Sequence, residues 1–276
     1  MVMSVNTNVG AQVALQNLNA TNAQLAITQN RINTGKSVAN AKDNGAIWAI
    51  AQGQRADIGA LSAVKQSLDR GIASVDVALA AGETVSDLLL QMKEKALAAT
   101  DASLKTSARA ALNEDFKALR DQIASVTGNA EFNGVNLLKT GATGFQALAN
   151  AQGTSSLTVG AEVLALGGAN VSVATTQAID TLTKATASLT AVSNSIDKVS
   201  ASLARLGTKS KALSTHLTFV GKLSDALESG VGNLVDADLA KESANLQALQ
   251  IKQQLGAQTL GIANQSPQIL QNLFRG

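Results

Sequence analysis

Several residue types are missing or scarce in this chain of 276 residues, and each absence excludes a class of structure or chemistry. There is no cysteine, so neither a disulfide framework nor a thiolate metal site can form, which is compatible with life outside the cell. Tyrosine is also absent, and one tryptophan and five phenylalanines bring the aromatic share to only 2%. A large core of bulky rings is therefore excluded, and Ala, Leu, Val and Ile supply the apolar mass.

The single proline, Pro267, and the single histidine, His216, limit both the structure and the chemistry of the chain. With so little proline, the long periodic runs of Ala and Leu predict long helices packed side by side. One histidine without cysteine leaves neither a metal ligand set nor the usual base for a nucleophile, so we expect no enzyme activity, metal or cofactor. Asp236 and Asp238 begin like a calcium-binding loop, but Lys241 stands where that loop requires glycine, which favours helix capping.

Charge and hydropathy exclude two classes of partner. The formal net charge is only +2 and no basic cluster is interleaved with aromatic residues, so we expect no nucleic acid partner. No apolar run reaches the roughly 18 to 20 residues of a membrane span, so we expect no membrane partner. The first residues also lack the features of a cleaved secretory signal, so export would require a different route.

Both ends of the chain lack charge. Residues 1–30 and 253–274 contain no Asp, Glu, Lys or Arg, although apolar residues recur there at helical spacing. A helix that faces solvent normally carries charge on its polar side, and a helix on a membrane surface carries Lys or Arg. Neutral faces of Gln and Asn therefore predict that both terminal helices pack against other protein surfaces. Asn22 and Gln29 in the first seam would favour one register and one partner.

Periodicity and turn residues predict the first three helices. The first should run from about residue 6 to 32 and end at Gly35, which adopts left-handed backbone easily. After a linker, Asp43 or Asn44 should cap a second helix that reaches about residue 99. A third helix is expected between Leu112 and Val126, where apolar residues alternate four- and three-residue steps.

Four glycines interrupt the second helix, and they either mark close helix approach or are simply tolerated. They are Gly53, Gly59, Gly71 and Gly82.

The strongest periodic signal lies in a fourth helix, expected from about residue 176 to 220. Two apolar series repeat there every seven positions, as in a coiled coil. They are Leu182, Leu189, Ile196 and Leu203, and Val192, Val199, Leu206, Leu213 and Val220. Gly230 and Gly232 should end this pattern before Asp236 or Asp238 caps the final helix. Residues 131–173 are rich in Gly, Ser, Thr and β-branched residues and predict short hairpins, with strands at 156–159 and 170–173.

These patterns predict a mainly α fold. We expect an elongated helical bundle with coiled-coil packing, because the apolar seam of one helix needs that of another to bury it. The chain would fold back on itself, with its two neutral ends together and a small β-hairpin region in the middle.

Short motifs near both ends of the chain carry a family resemblance. They are Ser4-Val5-Asn6-Thr7-Asn8, Arg31-Ile32-Asn33-Thr34-Gly35-Lys36, Ala41-Lys42-Asp43-Asn44, Ala49-Ile50-Ala51, Phe132-Asn133-Gly134-Val135, Asp236-Ala237-Asp238-Leu239-Ala240-Lys241-Glu242, Gln253-Gln254-Leu255, Ala263-Asn264-Gln265 and Leu273-Phe274-Arg275. Through them the chain resembles bacterial flagellin over most of its length, as a short member without the large outer domains.

The resemblance implies a structural subunit that polymerises into the flagellar filament for motility. It also implies an unfolded chain exported by the flagellar type III apparatus, secreted and added to the extracellular flagellum. The partners would be many copies of the chain itself, an export chaperone, and the cap and junction proteins.

The resemblance also implies a domain organisation. Residues 1–43 and 231–276 would be the two halves of an inner (D0-like) domain. Residues 44–138 and 176–230 would be the two parts of a D1-like helical domain, and residues 139–175 a short variable hairpin region.

We expect the polymerisation interface to lie on the apolar seams of the terminal helices. The candidate residues are Leu15, Leu18, Leu25, Ile32, Leu246, Leu249, Leu260, Ile262, Leu270 and Phe274.

Two alternative functions remain open from the sequence. The hook-filament junction protein shares the terminal helices with flagellin. An intracellular coiled-coil scaffold or signalling protein would share the heptads and the low aromatic content, but soluble coiled coils normally carry Glu and Lys beside the seam, and the ends of this chain lack both.

Overall fold

The computed structural model describes residues 7–273, with side chains described as far as Gln265. In chain order its elements are α1 (Val9–Thr34), α2 (Gly45–Ala99), α3 (Thr106–Asn129), β1 (Phe145–Leu148), β2 (Ser156–Val159), α4 (Leu182–Val235) and α5 (Leu239–Leu273). The mainly α fold with a small hairpin is confirmed. The chain divides into two compact units: unit 1 contains residues 1–56 and 226–276, and unit 2 contains residues 57–225.

The predicted helix ends are set by local capping. The Asn8 side chain accepts a hydrogen bond from Ala11 N at the start of α1, and Gly35 at its end has a φ of 67°. Asn44 accepts from Ile47 N at 3.1 Å, so Asn44 rather than Asp43 caps α2. Asp238 accepts from the backbone of Ala240 and Lys241 and caps α5, as expected.

The core of unit 2 follows seven-residue spacing on α2. Buried residues recur at alternating steps of three and four, which places them on one face of the helix. They are Leu61, Val64, Leu68, Gly71, Val75, Ala78, Gly82, Val85, Leu89, Met92, Ala96 and Ala99.

The predicted heptads of α4 are only partly a seam between helices. The series from Val192 to Val220 is at most 1% exposed, whereas Leu182 of the other series is 43% exposed. A third row, Ser188, Ser195 and Ser202, is fully buried and was not predicted.

Two of these serines bind the non-helical segment that precedes α4. Ser188 Oγ donates to Ala178 O at 3.0 Å, and Ser195 Oγ accepts from Ser172 N at 2.9 Å. Non-helical chain therefore covers this side of α4, with its backbone groups bonded to helix side chains.

One of the two predicted strands in the middle of the chain is present. β2 pairs antiparallel with β1, with Phe145 opposite Val159 and Leu148 opposite Ser156. The expected strand at residues 170–173 is wrong, because this segment is irregular. Its valines are nevertheless fully buried, so the alternation reflects burial of a loop rather than a strand ladder.

The predicted break at Gly230 and Gly232 is also wrong, because α4 continues to Val235. Val231 and Val235 are 7% and 2% exposed. Burial of such side chains contributes about 1.5–3 kcal/mol each and outweighs a glycine cost of about 1 kcal/mol.

The glycines of α2 are of two kinds. A Cβ at Gly71 would lie 2.9 Å from Phe145 Cε2, and one at Gly82 would lie 2.5 Å from Leu203 Cδ2. These two glycines mark close approach. A Cβ at Gly53 or Gly59 would meet nothing within 4 Å.

Candidate assembly surface

Helices α1 and α5 form an antiparallel pair within unit 1. Asn8 Nδ2 donates to Ala263 O at 2.7 Å, and Gln253 Nε2 donates to Asn22 Oδ1 at 2.7 Å. Between these two levels the helices approach closely, because a Cβ at Gly256 would lie 3.3 Å from Leu18 Cδ1. The two charge-free stretches of the sequence therefore cover each other along one face.

The linkers beside this pair are also bonded to each other. Ser37 N donates to Val235 O at 2.7 Å, and Ala237 N donates to Gly35 O at 2.9 Å. The end of α1 and the start of α5 are thereby held together where the sequence supplies the capping residues Gly35 and Asp238.

Among the residues that the structure describes, one ion pair links α1 and α5 at the linker end of the helix pair. Arg31 Nη1 lies 3.1 Å from Glu242 Oε1, and Glu242 is only 8% exposed. Glu242 stands in the first turn of α5, where the helix dipole favours a carboxylate. These two charges are thus satisfied within one copy of the chain.

The face of α1 that meets α5 is marked by burial. Ala14 and Thr28 are 8% and 6% exposed, and Leu18, Leu25 and Ile32, spaced by seven residues, are half-buried. On α5, Leu249 is 8% exposed, and Leu246 and Leu260 are half-buried. Most of the predicted interface residues therefore contact the partner helix of their own chain.

A second apolar face on each helix is left exposed. On α1 it consists of Val9, Val13 and Ile27, which are 63%, 50% and 51% exposed; we name this the α1 stripe. On α5 it consists of Ile251, Leu255 and Ile262, which are 58%, 55% and 70% exposed; we name this the α5 stripe. Helical spacing places each stripe roughly opposite the face that meets the partner helix.

The structure separates the ten predicted interface residues into three groups. Leu18, Leu25, Ile32, Leu246, Leu249 and Leu260 are half-buried or buried, as given above. Leu15 is 47% exposed and lies off the α1 stripe, and Ile262 belongs to the α5 stripe. The side chain of Leu270 and all of Phe274 lie outside the described residues.

Five residues of the two stripes were not predicted: Val9, Val13, Ile27, Ile251 and Leu255. A helical projection of each end would have shown two apolar faces rather than one.

The other candidate chemical groups have structural roles. His216 Nε2 lies 2.8 Å from Ala149 O, so this nitrogen carries the proton and ties α4 to the end of β1. In the residues described, no group of three carboxylate or imidazole side chains could hold a metal ion. None of the described helices is long and apolar enough to cross a membrane.

Comparisons with known proteins agree on one family. Residues 5–143 match the bacterial flagellin N-terminal helical region, and residues 189–274 match the bacterial flagellin C-terminal helical region. The chain is 55% identical to flagellin FljM of Caulobacter vibrioides over 272 residues, covering 99% of this chain and 98% of that one. It is 37% identical to a flagellin of Brucella melitensis over 284 residues, covering 99% of both.

A solved structure of a putative flagellar hook-associated protein from Vibrio parahaemolyticus shares the fold. Its TM-score is 0.56 at 13% identity, and the match covers 70% of this chain and all of that one.

Proposed function

The chain belongs to the bacterial flagellin family and is a structural subunit of the flagellar filament, and we propose that the α1 and α5 stripes are the surfaces through which neighbouring copies bind. The family is structural rather than enzymatic, and its members polymerise with copies of themselves. Relatives that carry the flagellin name along the whole chain favour the filament subunit over the junction protein and the scaffold.

The observation that carries this proposal is the exposure of apolar side chains on helical stretches that carry few charges. Ile262 is 70% exposed and Val9 is 63% exposed, although residues 1–30 and 253–274 contain no charged side chain. Exposed apolar faces of this kind mark surfaces that bind another protein. Contact between two such faces desolvates few charges, so neighbouring copies fit this surface better than a strongly charged protein does.

The placement of the stripes favours a growing polymer over a closed dimer. The two stripes differ in sequence and lie on opposite sides of the α1–α5 pair. A contact between the α1 stripe of one copy and the α5 stripe of the next is heterologous, and such contacts extend into open helical assemblies. Each copy would then use both stripes, one toward each neighbour.

We extend the proposal to domain organisation and export. Residues 1–43 and 231–276 would form the inner domain, residues 44–138 and 176–230 the helical domain around it, and residues 139–175 its hairpin region. The chain would leave the cell unfolded through the flagellar type III apparatus with a chaperone, and join the extracellular filament beside its cap and junction proteins. Family membership supports this route, and a chain without cysteine carries no disulfide that would oppose unfolding.

Ile251→Asp tests the α5 stripe. The change puts a carboxylate into an apolar contact repeated in every copy, which costs several kcal/mol per subunit. We expect loss of polymer in sedimentation and electron microscopy, with an unchanged circular dichroism spectrum of the monomer.

The matched control is Gln254→Asp, one turn further along α5, exposed and off the stripe. It adds the same charge and should polymerise like the parent chain. Normal polymer from Ile251→Asp, or equal loss in both variants, would refute the α5 stripe as a contact surface. Leu25→Asp is not a substitute, because Leu25 faces α5 and its change would disturb the pair inside one copy.

A further inference from the structure

Two asparagines of this chain are followed directly by glycine. The pairs are Asn44-Gly45 and Asn133-Gly134. Asparagine is chemically labile in this context, because glycine has no side chain to shield its backbone nitrogen, and that nitrogen can attack the amide carbon of the preceding side chain. Neither pair belongs to the stripes described above. The structure places the two pairs in different surroundings, and these surroundings decide which pair reacts.

Asn44 is held by the first turn of α2. Its Oδ1 accepts a hydrogen bond from Ile47 N at 3.1 Å, and its backbone oxygen accepts from Trp48 N at 2.9 Å. Gly45 is the first residue of the helix. A bond between Asn44 Cγ and Gly45 N would pull Oδ1 away from Ile47 and leave that N–H without its cap. Reaction at Asn44 therefore has to break helical contacts first.

Asn133 lies in a two-residue turn that leaves it free. Phe132 N donates to Val135 O and Val135 N donates to Phe132 O, both at 2.9 Å. These bonds use the residues on either side of the pair, and Gly134 N donates to no backbone acceptor in the described part of the chain. Asn133 and Gly134 are exposed, and the Asn133 side chain forms no hydrogen bond to any residue that the structure describes. No side-chain bond has to be broken before reaction at Asn133.

We propose that Asn133 is a site of spontaneous deamidation in the folded chain and that Asn44 is protected from it. The Gly134 nitrogen forms a bond to Asn133 Cγ and gives up its proton, and the bond from Cγ to Nδ2 breaks, so that Nδ2 leaves as ammonia. The product is a five-membered succinimide ring. Water then opens the ring on either side of its nitrogen and leaves an aspartate or an isoaspartate at position 133. No electrons are transferred, and water is the co-reactant.

The two products differ in what they do to the turn. The aspartate form keeps the normal backbone, and aspartate accepts positive φ almost as asparagine does. The isoaspartate form routes the backbone through the side-chain carbons and lengthens the chain between Phe132 and Val135, so the paired bonds of the two-residue turn are lost. The turn directly precedes the buried Asn136, whose Nδ2 donates to Thr127 O at 2.9 Å. The isoaspartate form therefore loosens the anchor of the segment that follows α3.

Incubation of the full-length, unpolymerised chain in mildly alkaline buffer tests the proposal. Samples are taken over time and digested, and the two asparagines are followed by peptide mass spectrometry. We expect Asn133 to react about tenfold faster than Asn44 in the folded chain, the ratio that corresponds to a cap bond of ordinary strength. In urea, where both pairs lose their structure, the two rates should converge. Equal rates in the folded chain, or a faster reaction at Asn44, would overturn the proposal.

Two matched variants assign the early product to one residue. Asn133→Gly removes the reactive amide and keeps the turn, because two glycines suit a turn in which both residues have positive φ. The early product should disappear from this variant. Asn44→Ser removes the other amide and keeps a capping side chain at the start of α2, so the early product should remain. An early product that persists in Asn133→Gly or is lost from Asn44→Ser contradicts the assignment.

The effect on the turn is measured on the separated products. The isoaspartate form is isolated from aged chain by chromatography, and its urea unfolding is compared with that of fresh chain. We expect a lower midpoint for the isoaspartate form. Asn133→Asp, which has the normal backbone, should unfold close to the parent chain. An isoaspartate form that unfolds with Asn133→Asp, at the parent midpoint, would overturn the expected loss of the turn.

Discussion

Asn136→Ala should be among the most damaging single substitutions in unit 2. Asn136 is 3% exposed and joins the end of α3 to the segment that follows. Its Nδ2 donates to Thr127 O at 2.9 Å and Gly128 O at 3.2 Å. Its Oδ1 accepts from Leu138 N at 2.8 Å and Lys139 N at 3.0 Å. One amide side chain therefore satisfies four backbone groups.

The size of the stability loss depends on which of these four backbone groups water can reach after the substitution. The bonds to Thr127 and Leu138 are buried, and those to Gly128 and Lys139 are partly buried. A buried backbone group left without a partner costs about 1–3 kcal/mol, and a partly hydrated one costs less. We expect the free energy of unfolding of unit 2 to fall by about 3–5 kcal/mol.

Urea denaturation followed by circular dichroism measures this loss. The midpoint should fall with an unchanged slope, since the substitution exposes no additional surface on unfolding. Asn129→Ala is the matched control: Asn129 ends α3, is exposed, and makes one side-chain bond to Ser125. It should change stability by no more than about 0.5 kcal/mol. A loss below about 1 kcal/mol in Asn136→Ala would show that the amide network is not the anchor we take it to be.

Two further predictions concern unit 2. Arg205 donates to Glu162 at 2.7 and 2.6 Å and holds the pKa of that carboxyl below its ordinary value. The ion pair therefore stabilises the folded chain fully at pH values above the ordinary pKa of a glutamate. This stabilisation is lost as the pH falls through the lowered pKa of Glu162. Urea unfolding of Arg205→Ala at several pH values should therefore show a flatter loss of stability below about pH 5 than the parent, and an unchanged slope would contradict this. Gly59→Ala should raise the melting stability of the monomer by about 0.5–1 kcal/mol, because a Cβ there meets nothing within 4 Å. Gly144→Ala should lower it, because its Cβ would collide with the backbone carbonyl of Val159; equal effects of the two substitutions would contradict the reasoning.

Helix ends were predictable because their determinants are local. Gly35, Asn44 and Asp238 each act on backbone groups within a few residues, so the sequence around them contains the whole interaction. The Asn133-Gly134 pair is a similar case: both residues have positive φ, 49° and 82°, in a two-residue turn between Phe132 and Val135. A turn of this kind requires positive φ at both residues, and the Asn-Gly pair that meets this requirement can be recognised from the sequence alone.

The errors arose where distant residues determine the local structure. α4 continues through Gly230 because Val231 and Val235 are buried in unit 1. The segment at residues 170–173 is not a strand because Ser195, more than twenty residues away, accepts the hydrogen bond of Ser172 N that a neighbouring strand would otherwise accept. Sequence spacing alone identifies neither the residues that cover Val231 and Val235 nor the acceptor of Ser172 N.

The pairing of the two terminal helices was predictable from the sequence, but the face that each helix turns to the other was not. Absence of charge correctly singled out the two helices that pair in unit 1. It did not show that Leu25 would meet α5 of the same chain while Ile27, two residues away, would remain 51% exposed. The seven-residue spacing of Leu18, Leu25 and Ile32 marks the more regular apolar seam of α1. That seam is buried against α5 of the same copy.

This division between faces bears on how a neutral surface can serve a repeated contact. In a polymer, the energy of any unpaired charge at the interface is multiplied by the number of copies, and desolvation of such a charge costs several kcal/mol each time. In unit 1 one pair of opposite charges is satisfied inside the copy, where Arg31 binds Glu242. The polar groups of the pair are likewise bonded to each other, as Asn22 is to Gln253. The stripes therefore offer apolar area with few charges to desolvate, Lys252 beside Ile251 being the nearest in sequence, so that many weak, identical contacts can add with little repeated electrostatic penalty.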